Sequence, residues 1–371
     1  MSRGTLVCAC LFPLANLPAS CQNQANVCMA TKPLPRPATL RDVARVAGVA
    51  PSTVSRAFNW RKGLVTTETR DRILRAAERL NYVPNLLASG LKTTRSYTVG
   101  AVLTSFMNPF FAAVARGIQD AATAEGKEVF FCNTDDDPQR EADAIEALVS
   151  RRVDGLIAAT SGRDAEPYKK LLGRNYPLVL IDRLIPGLHC DAAVAENVLP
   201  TQEAVRKLAD LGHRRIALLT PPTAGVSARQ ARVEAFRAAT KSPDPALVLE
   251  IPASVAESAA AAGRLLKLKP PPTAFCVLNP QIAIGMLQQL RAAGLRVPED
   301  VSVILLDDTE WAALMSPPLS GIRQPAYDLG MRANQLLSAR LEEPEKPVET
   351  TYLAAEWIER GSAGPARPQR S

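Results

Sequence analysis

From Thr39 to Leu80 the apolar positions recur every three or four residues, the signature of short amphipathic helices. In "TLRDVARVAGVA", Thr39 is placed to cap a helix, Leu40, Val43, Ala44 and Ala47 share one face, and Gly48 stops the run. Pro51 suits the first turn of a second helix, where a missing N–H costs nothing. Val54 and Ala57 continue the inward face there, leaving Ser52, Thr53, Ser55 and Arg56 outward. A third helix is predicted from Thr67 to Leu80 behind a Thr66 cap, burying Ile73, Leu74, Ala77 and Leu80. "NLLASGLKTTRSY" follows, weakly helical because of Gly90, with Leu86, Leu87 and Leu91 lacking an evident partner.

After Tyr97 the texture changes. "TVGAVL", "EVFFCN", "GLIAAT" and "PLVLID" read as strands separated by helical segments such as "PFFAAVARGIQDAATAEG" and "QREADAIEALVSRRV". A second series begins near Glu196, with strands "RRIALLT", "PTAFCVLN" and "VSVILLDD". Strands alternating with helices mean parallel sheets with crossover helices, and two series mean two lobes. Ligands of such folds sit at the carboxyl ends of the strands.

Charge sharpens this division. Residues 1–97 hold 14 Lys and Arg against 4 Asp and Glu, whereas the remaining residues hold 30 against 33. The whole positive excess lies in the first quarter, which fits either a solvated basic surface or a polyanion partner for that part alone. The first two helices are equally open to two readings: a helical hairpin in a larger core, or a helix-turn-helix presenting Ser52, Ser55 and Arg56 to a DNA major groove. Seven cysteines are present, and the spacing of Cys132, Cys190 and Cys276 suits reduced thiols better than a disulfide framework. The opening "MSRGTLVCACLFPLANLPASCQ" imitates a secretory leader, but Pro13, Asn16 and Pro18 break it. Met29 opens "MATKPLPRPATL", a natural basic arm, so residues 1–37 read as a disordered extension or a misassigned start.

Enzyme signatures are missing. No glycine-rich phosphate loop, nucleophile elbow or C-x-x-C is found, and no nucleophile is assembled with a base. His213 in "LGHRRIALL" reads as structural, and the "DDD" at 135–137 as a solvated loop after a strand, without the spaced ligands of a calcium loop. No catalytic residue, metal or cofactor is therefore expected, and no membrane-spanning run occurs in the body of the chain.

In order, "TLRDVARVAGVAPSTVSRAFN", "YVPN", "NPFF", "RRVDGLI", "LGHRRIALL", "GLRVPEDVSV" and "RQP" resemble the LacI/GalR family of transcriptional regulators over residues 38 to 360. The resemblance implies an α/β protein: a three-helix helix-turn-helix headpiece (38–84), a hinge (85–97) and a two-lobed core like a periplasmic binding protein (98–360), with a tail at 361–371. Lobe one would take 98–195 and 325–350, lobe two 196–324 and 351–360. It further implies a cytoplasmic homodimer or tetramer, most simply a repressor, that binds double-stranded operator DNA under control of a small effector. A periplasmic-type sugar-binding protein with the same lobes is the rival reading, against which the basic headpiece counts.

By the same resemblance Pro51, Ser52 and Arg56 read bases, Arg56 by a bidentate contact to guanine. Thr39, Thr53, Ser55, Asn59 and Asn85 anchor phosphates. Leu91 is the minor-groove wedge, with Ala88 a further DNA contact in the hinge. Ala50 stands where the family has a Ser or Thr cap. The effector would meet Asn108, Phe110, Phe111, Asp182, Arg183, Arg232, Asn279, Asp307 and Gln324. Two departures concern the pocket: Asn279 is followed by Pro280 rather than Asp, and Leu305–Leu306 replace a glycine and an aromatic residue. Trp311 is either a further wall or a core residue. Aromatic faces among Asp, Asn, Arg and Gln suit a sugar or sugar acid better than a purine.

Overall fold

The computed structural model describes residues 36, 38–58, 65–82, 95–240 and 244–367. It divides into two compact units, one ending at Lys92 and the other beginning at Thr93.

The first unit is built by local devices. Helix α1 (Leu40–Ala47) starts in a capping box: the Thr39 hydroxyl accepts from the Asp42 N–H at 3.3 Å, and the Asp42 carboxylate accepts from the Thr39 N–H at 2.9 Å. It ends at Gly48, whose φ of 62° is the left-handed turn that glycine adopts without strain. Helix α2 (Pro51–Phe58) and helix α3 (Thr67–Arg79, capped by Thr66) close over Val43, Ala44, Ala47, Val54, Ala57, Ile73, Ala76 and Ala77. Leu74 corrects the expected face: it is 40 % exposed, because Ile73, Ala76 and Ala77 already fill the inward arc and the next residue rotates 100° away from it. Leu80 is half-buried, just beyond the helix.

The second unit contains two six-stranded sheets. The first runs β11-β5-β4-β3-β1-β2, using β1 (Thr98–Leu103), β2 (Glu128–Asn133), β3 (Gly155–Ala158), β4 (Leu178–Ile181), β5 (Asp191–Ala195) and β11 (Thr350–Leu353). All its pairings are parallel. Helices α4 (Pro109–Ala124), α5 (Pro138–Ser150), α6 (Glu166–Leu172) and α11 (Ala326–Glu342) cover it, so β3, β4 and β5 are buried along their whole length, as parallel strands between helical layers must be.

The second sheet runs β12-β10-β9-β8-β6-β7, from β6 (Ile216–Thr220), β7 (Val248–Glu250), β8 (Ala274–Val277), β9 (Ser302–Leu305), β10 (Ser320–Arg323) and β12 (Glu356–Ile358). Only β12 is antiparallel, against β10. Helices α7 (Val198–Asp210), α8 (Ser227–Ala239), α9 (Val255–Leu266) and α10 (Pro280–Ala292) flank it.

The chain passes between the lobes three times, at 195–198, 323–326 and 353–356. The last passage corrects the expected boundary: residues 350–353 pair with β5 and belong to lobe one, since β11 completes that sheet's edge. Residues 361–367 are fastened to lobe two, with Val303 N–H donating to the Ser362 carbonyl at 2.9 Å and Ala366 N–H to the Leu211 carbonyl at 2.8 Å. His213 sits beneath this segment, bonded to Thr273 at 2.8 Å and to Ser302 and the Gly364 carbonyl at 3.0 Å each. Among the described residues no helix is long and apolar enough to cross a membrane.

Candidate functional site

Two surfaces carry the predicted site residues. On α2, Pro51, Ser52 and Arg56 are exposed, while Thr53 and Ser55 are half-buried at the flanks, as the packing of Val54 and Ala57 dictates. Ala50 contributes only its backbone carbonyl, which accepts from the Thr53 N–H at 2.9 Å. The Thr39 hydroxyl donates to Asp42 at 2.6 Å, so its proton is spent within the cap. Asn59, Asn85, Ala88, Leu91 and the extension up to residue 35 lie outside the described residues.

The second surface is a cleft of about 440 Å³ between the lobes, and all nine residues expected around an effector line it. They arrive by the topology: Asn108, Phe110 and Phe111 follow β1, Asp182 and Arg183 follow β4, Asn279 follows β8 and Asp307 follows β9. Gln324 stands on the second passage between lobes and Arg232 on α8. Asn108 and Asn279 each turn an amide oxygen onto the helix they cap, Asn279 accepting from Gln281 N–H at 2.8 Å. Pro280 therefore opens α10 without cost, since its missing N–H would have been unpaired. Phe110 and Phe111 meet edge to face at 4.9 Å between ring centres, and the Arg183 guanidinium lies 5.9 Å over Phe111.

The polar floor is a set of ion pairs. Arg232 donates to Asp307 at 2.7 Å and to the Asn197 side chain at 2.6 Å, and Gln324 donates to the same Asp307 oxygen. Asn197 and Gln324 stand on two of the three passages, so this pair is tied to the joint between the lobes. Arg183, buried, donates to Asp136 at 2.5 Å and to the Thr160 carbonyl at 2.8 Å. Asp182 lies 3.3 Å from Arg183 Nε, but that nitrogen makes no hydrogen bond. Burial, only partly offset by Arg183, holds the Asp182 carboxyl above the usual carboxylate range. Its backbone is left-handed, with φ 67°.

Among the cleft residues that escaped the sequence reading, Asp136 and Arg229 matter most for its charge. Asp136, taken for part of a solvated loop, is instead bridged by Arg183 and by Arg229, whose contact is 2.8 Å. Burial would raise its carboxyl, but the two guanidinium groups win and hold it below the usual range. The loop that follows β2 was the available signal for Asp136. For Arg229 it was the three-residue spacing from Arg232 on one helix face. Trp311 packs against the core of lobe two and does not line the cleft. Leu305 and Leu306 are also core residues.

The lobes meet directly beside this floor. The Leu184 N–H donates to Ser227 Oγ at 2.8 Å, and Gly162 and Gly225 approach so closely that a Cβ on Gly162 would lie 1.7 Å from the Gly225 carbonyl oxygen. Only glycine fits there.

Residues 39–85 match the model for bacterial regulatory proteins of the lacI family, and residues 205–363 that for a periplasmic binding protein-like domain. The ribose operon repressor of Escherichia coli strain K12 is 34 % identical over 336 residues, covering 88 % of this chain and 100 % of the repressor. The crystal structure of the Lac repressor dimer bound to operator and the anti-inducer ONPF superposes with a TM-score of 0.78 at 27 % identity, covering 89 % of this chain and all of that one. A LacI family transcriptional regulator from Enterococcus faecium with bound ribose gives a TM-score of 0.65 at 29 % identity, over 73 % of this chain and 100 % of its own.

Proposed function

Since the chain belongs to the lacI family of bacterial regulatory proteins, and is accordingly a DNA-binding transcriptional regulator, we propose that it is a cytoplasmic, homodimeric repressor whose operator affinity is set by a sugar or sugar acid held between its lobes. The observation that carries this reading is the convergence of Asp182, Arg183, Arg232, Asp307 and Gln324 on one cleft beside the Phe110–Phe111 pair. Carboxylates accept from sugar hydroxyls, guanidinium groups donate to them, and a phenyl ring covers the apolar face of the sugar ring. With only one edge-to-face phenylalanine pair available, a purine would find no flat sandwich to enter.

On the DNA side, Arg56 reads guanine from α2, with Pro51 and Ser52 beside it, and Thr53 and Ser55 set the register on phosphates. Asn59 and Asn85 join those anchors, and Ala88 and Leu91 meet the minor groove. A ligand that touches both lobes favours the closed arrangement over the open one, and a preference of about 1–3 kcal/mol suffices to move operator occupancy.

The test is a titration of purified full-length protein on an operator fragment recovered by selection from genomic DNA. Sequence-specific protection that a monosaccharide or sugar acid abolishes or strengthens is the expected outcome. Protection that responds to purines alone would overturn the effector assignment.

A further inference from the structure

Asp136 is gripped from both lobes at once. One of its carboxylate oxygens accepts from Arg183 of lobe one at 2.5 Å, the other from Arg229 of lobe two at 2.8 Å. The arginine side chains are only 4 % and 18 % exposed. Two cations so poorly solvated and so close need an anion between them. Burial, and then the charge of Arg183, pull Arg229 below the usual guanidinium range, and the carboxylate of Asp136 opposes them.

The anion now in the gap is loosely mounted. Asp136 is 30 % exposed at its side chain and sits on the loop between β2 and α5. Asp135 and Asp136 are consecutive left-handed residues, φ 53° and 59°, a conformation disfavoured for L-residues. By contrast, Asp307 is 13 % exposed and stands just beyond the end of β9, a central strand, with Leu306 between. The Arg183 Nε–H, buried in the same place, has no acceptor. The cradle thus holds more donor capacity than Asp136 uses.

We propose that Arg183 and Arg229 form a carboxylate subsite of the cleft, that Asp136 occupies it as an internal stand-in, and that the effector is a sugar acid whose carboxylate displaces Asp136. This rests on the sugar-effector reading above and narrows it. The ligand's carboxylate takes over the bridge between lobes that the loop now supplies, adding the unfilled Nε–H of Arg183, while Asp182, Asp307 and Arg232 remain for hydroxyls. A neutral sugar would leave Asp136 in place.

Calorimetry on the full chain with gluconate, glucuronate and galacturonate against glucose and galactose decides between them. At least one acid should bind about tenfold tighter than its neutral counterpart. Arg229→Gln should remove most of that preference. Asp136→Asn, which discharges the internal competitor, should tighten the acid severalfold. An acid preference that survives Arg229→Gln, or an acid weakened by Asp136→Asn, overturns the proposal. Neutral sugars binding as tightly as acids overturn it while sparing the sugar-effector reading. Binding of neither class removes both.

Discussion

The helix-turn-helix surface and the inter-lobe cleft organise their polar residues in opposite ways. On α2, Ser52 and Arg56 are exposed, and the packing beneath them is done by other residues, Val54 and Ala57. In the cleft, Arg183, Arg229, Arg232, Asp136 and Asp307 hold one another, and through Asn197 and Gln324 they hold the passages between lobes. A surface that meets a large polyanion keeps its donors uncommitted. A cleft that must respond to a small ligand has its donors already engaged, so that binding exchanges one set of partners for another. Function and fold are separable on α2 and inseparable in the cleft.

The strongest way to break this contrast is Asp307→Ala. It strands the buried Arg232 guanidinium and should cost the core about 3–5 kcal/mol in urea unfolding, besides removing any effector response. A loss under about 1 kcal/mol would mean that the cleft residues are as independent as those on α2. Next comes Ile73→Ala in the headpiece, about 2–5 kcal/mol on the unfolding of that unit, because Ile73 is fully buried. Its neighbour sharpens the point: Leu74→Ser should stay within about 0.5 kcal/mol. Arg56→Ala should weaken specific operator binding by about 1–3 kcal/mol by fluorescence anisotropy, with the unfolding midpoint unmoved. Equal loss on random DNA would remove its base-reading role.

The smallest effect is a dependence on pH. Burial holds His213 below its ordinary value of 6.5. The unfolded chain therefore takes up this proton first, and lobe two loses stability as pH falls below about 6.5, with no contribution from this group above it. Urea titrations at pH 7.5 and 5.5, compared with His213→Gln, should show a shallower pH slope in the variant.

The same contrast governs what the chain reveals before it is folded. Caps, a left-handed glycine and helical periodicity are local, so the three headpiece helices were legible to within a residue or two, and Leu74 was misplaced only by one step of rotation. In the core, the rule that ligands sit at strand ends, joined to the family resemblance, pointed to nine residues that line one cleft. It did not say which would pair. Asp136 and Arg229 find each other over 93 positions of sequence, and the one local signal for Asp136, its place in the loop after β2, does not name that partner. Short alanine-rich strands such as β5, and the edge strand β11, were also illegible, because their only signature is the neighbour they pair with.

The three passages between the lobes have a mechanical consequence. β5 and β11 are adjacent in one sheet and β10 and β12 in the other, so the three cords emerge side by side along one edge. A single cord would act as a swivel with three rotational freedoms. Three abreast resist twisting and sideways sliding, because either motion would stretch one cord against another. What remains is one degree of freedom, a bend about the line that the cords define. The cleft is then a jaw hinged along that line, and the opening between its lobes is described by a single angle.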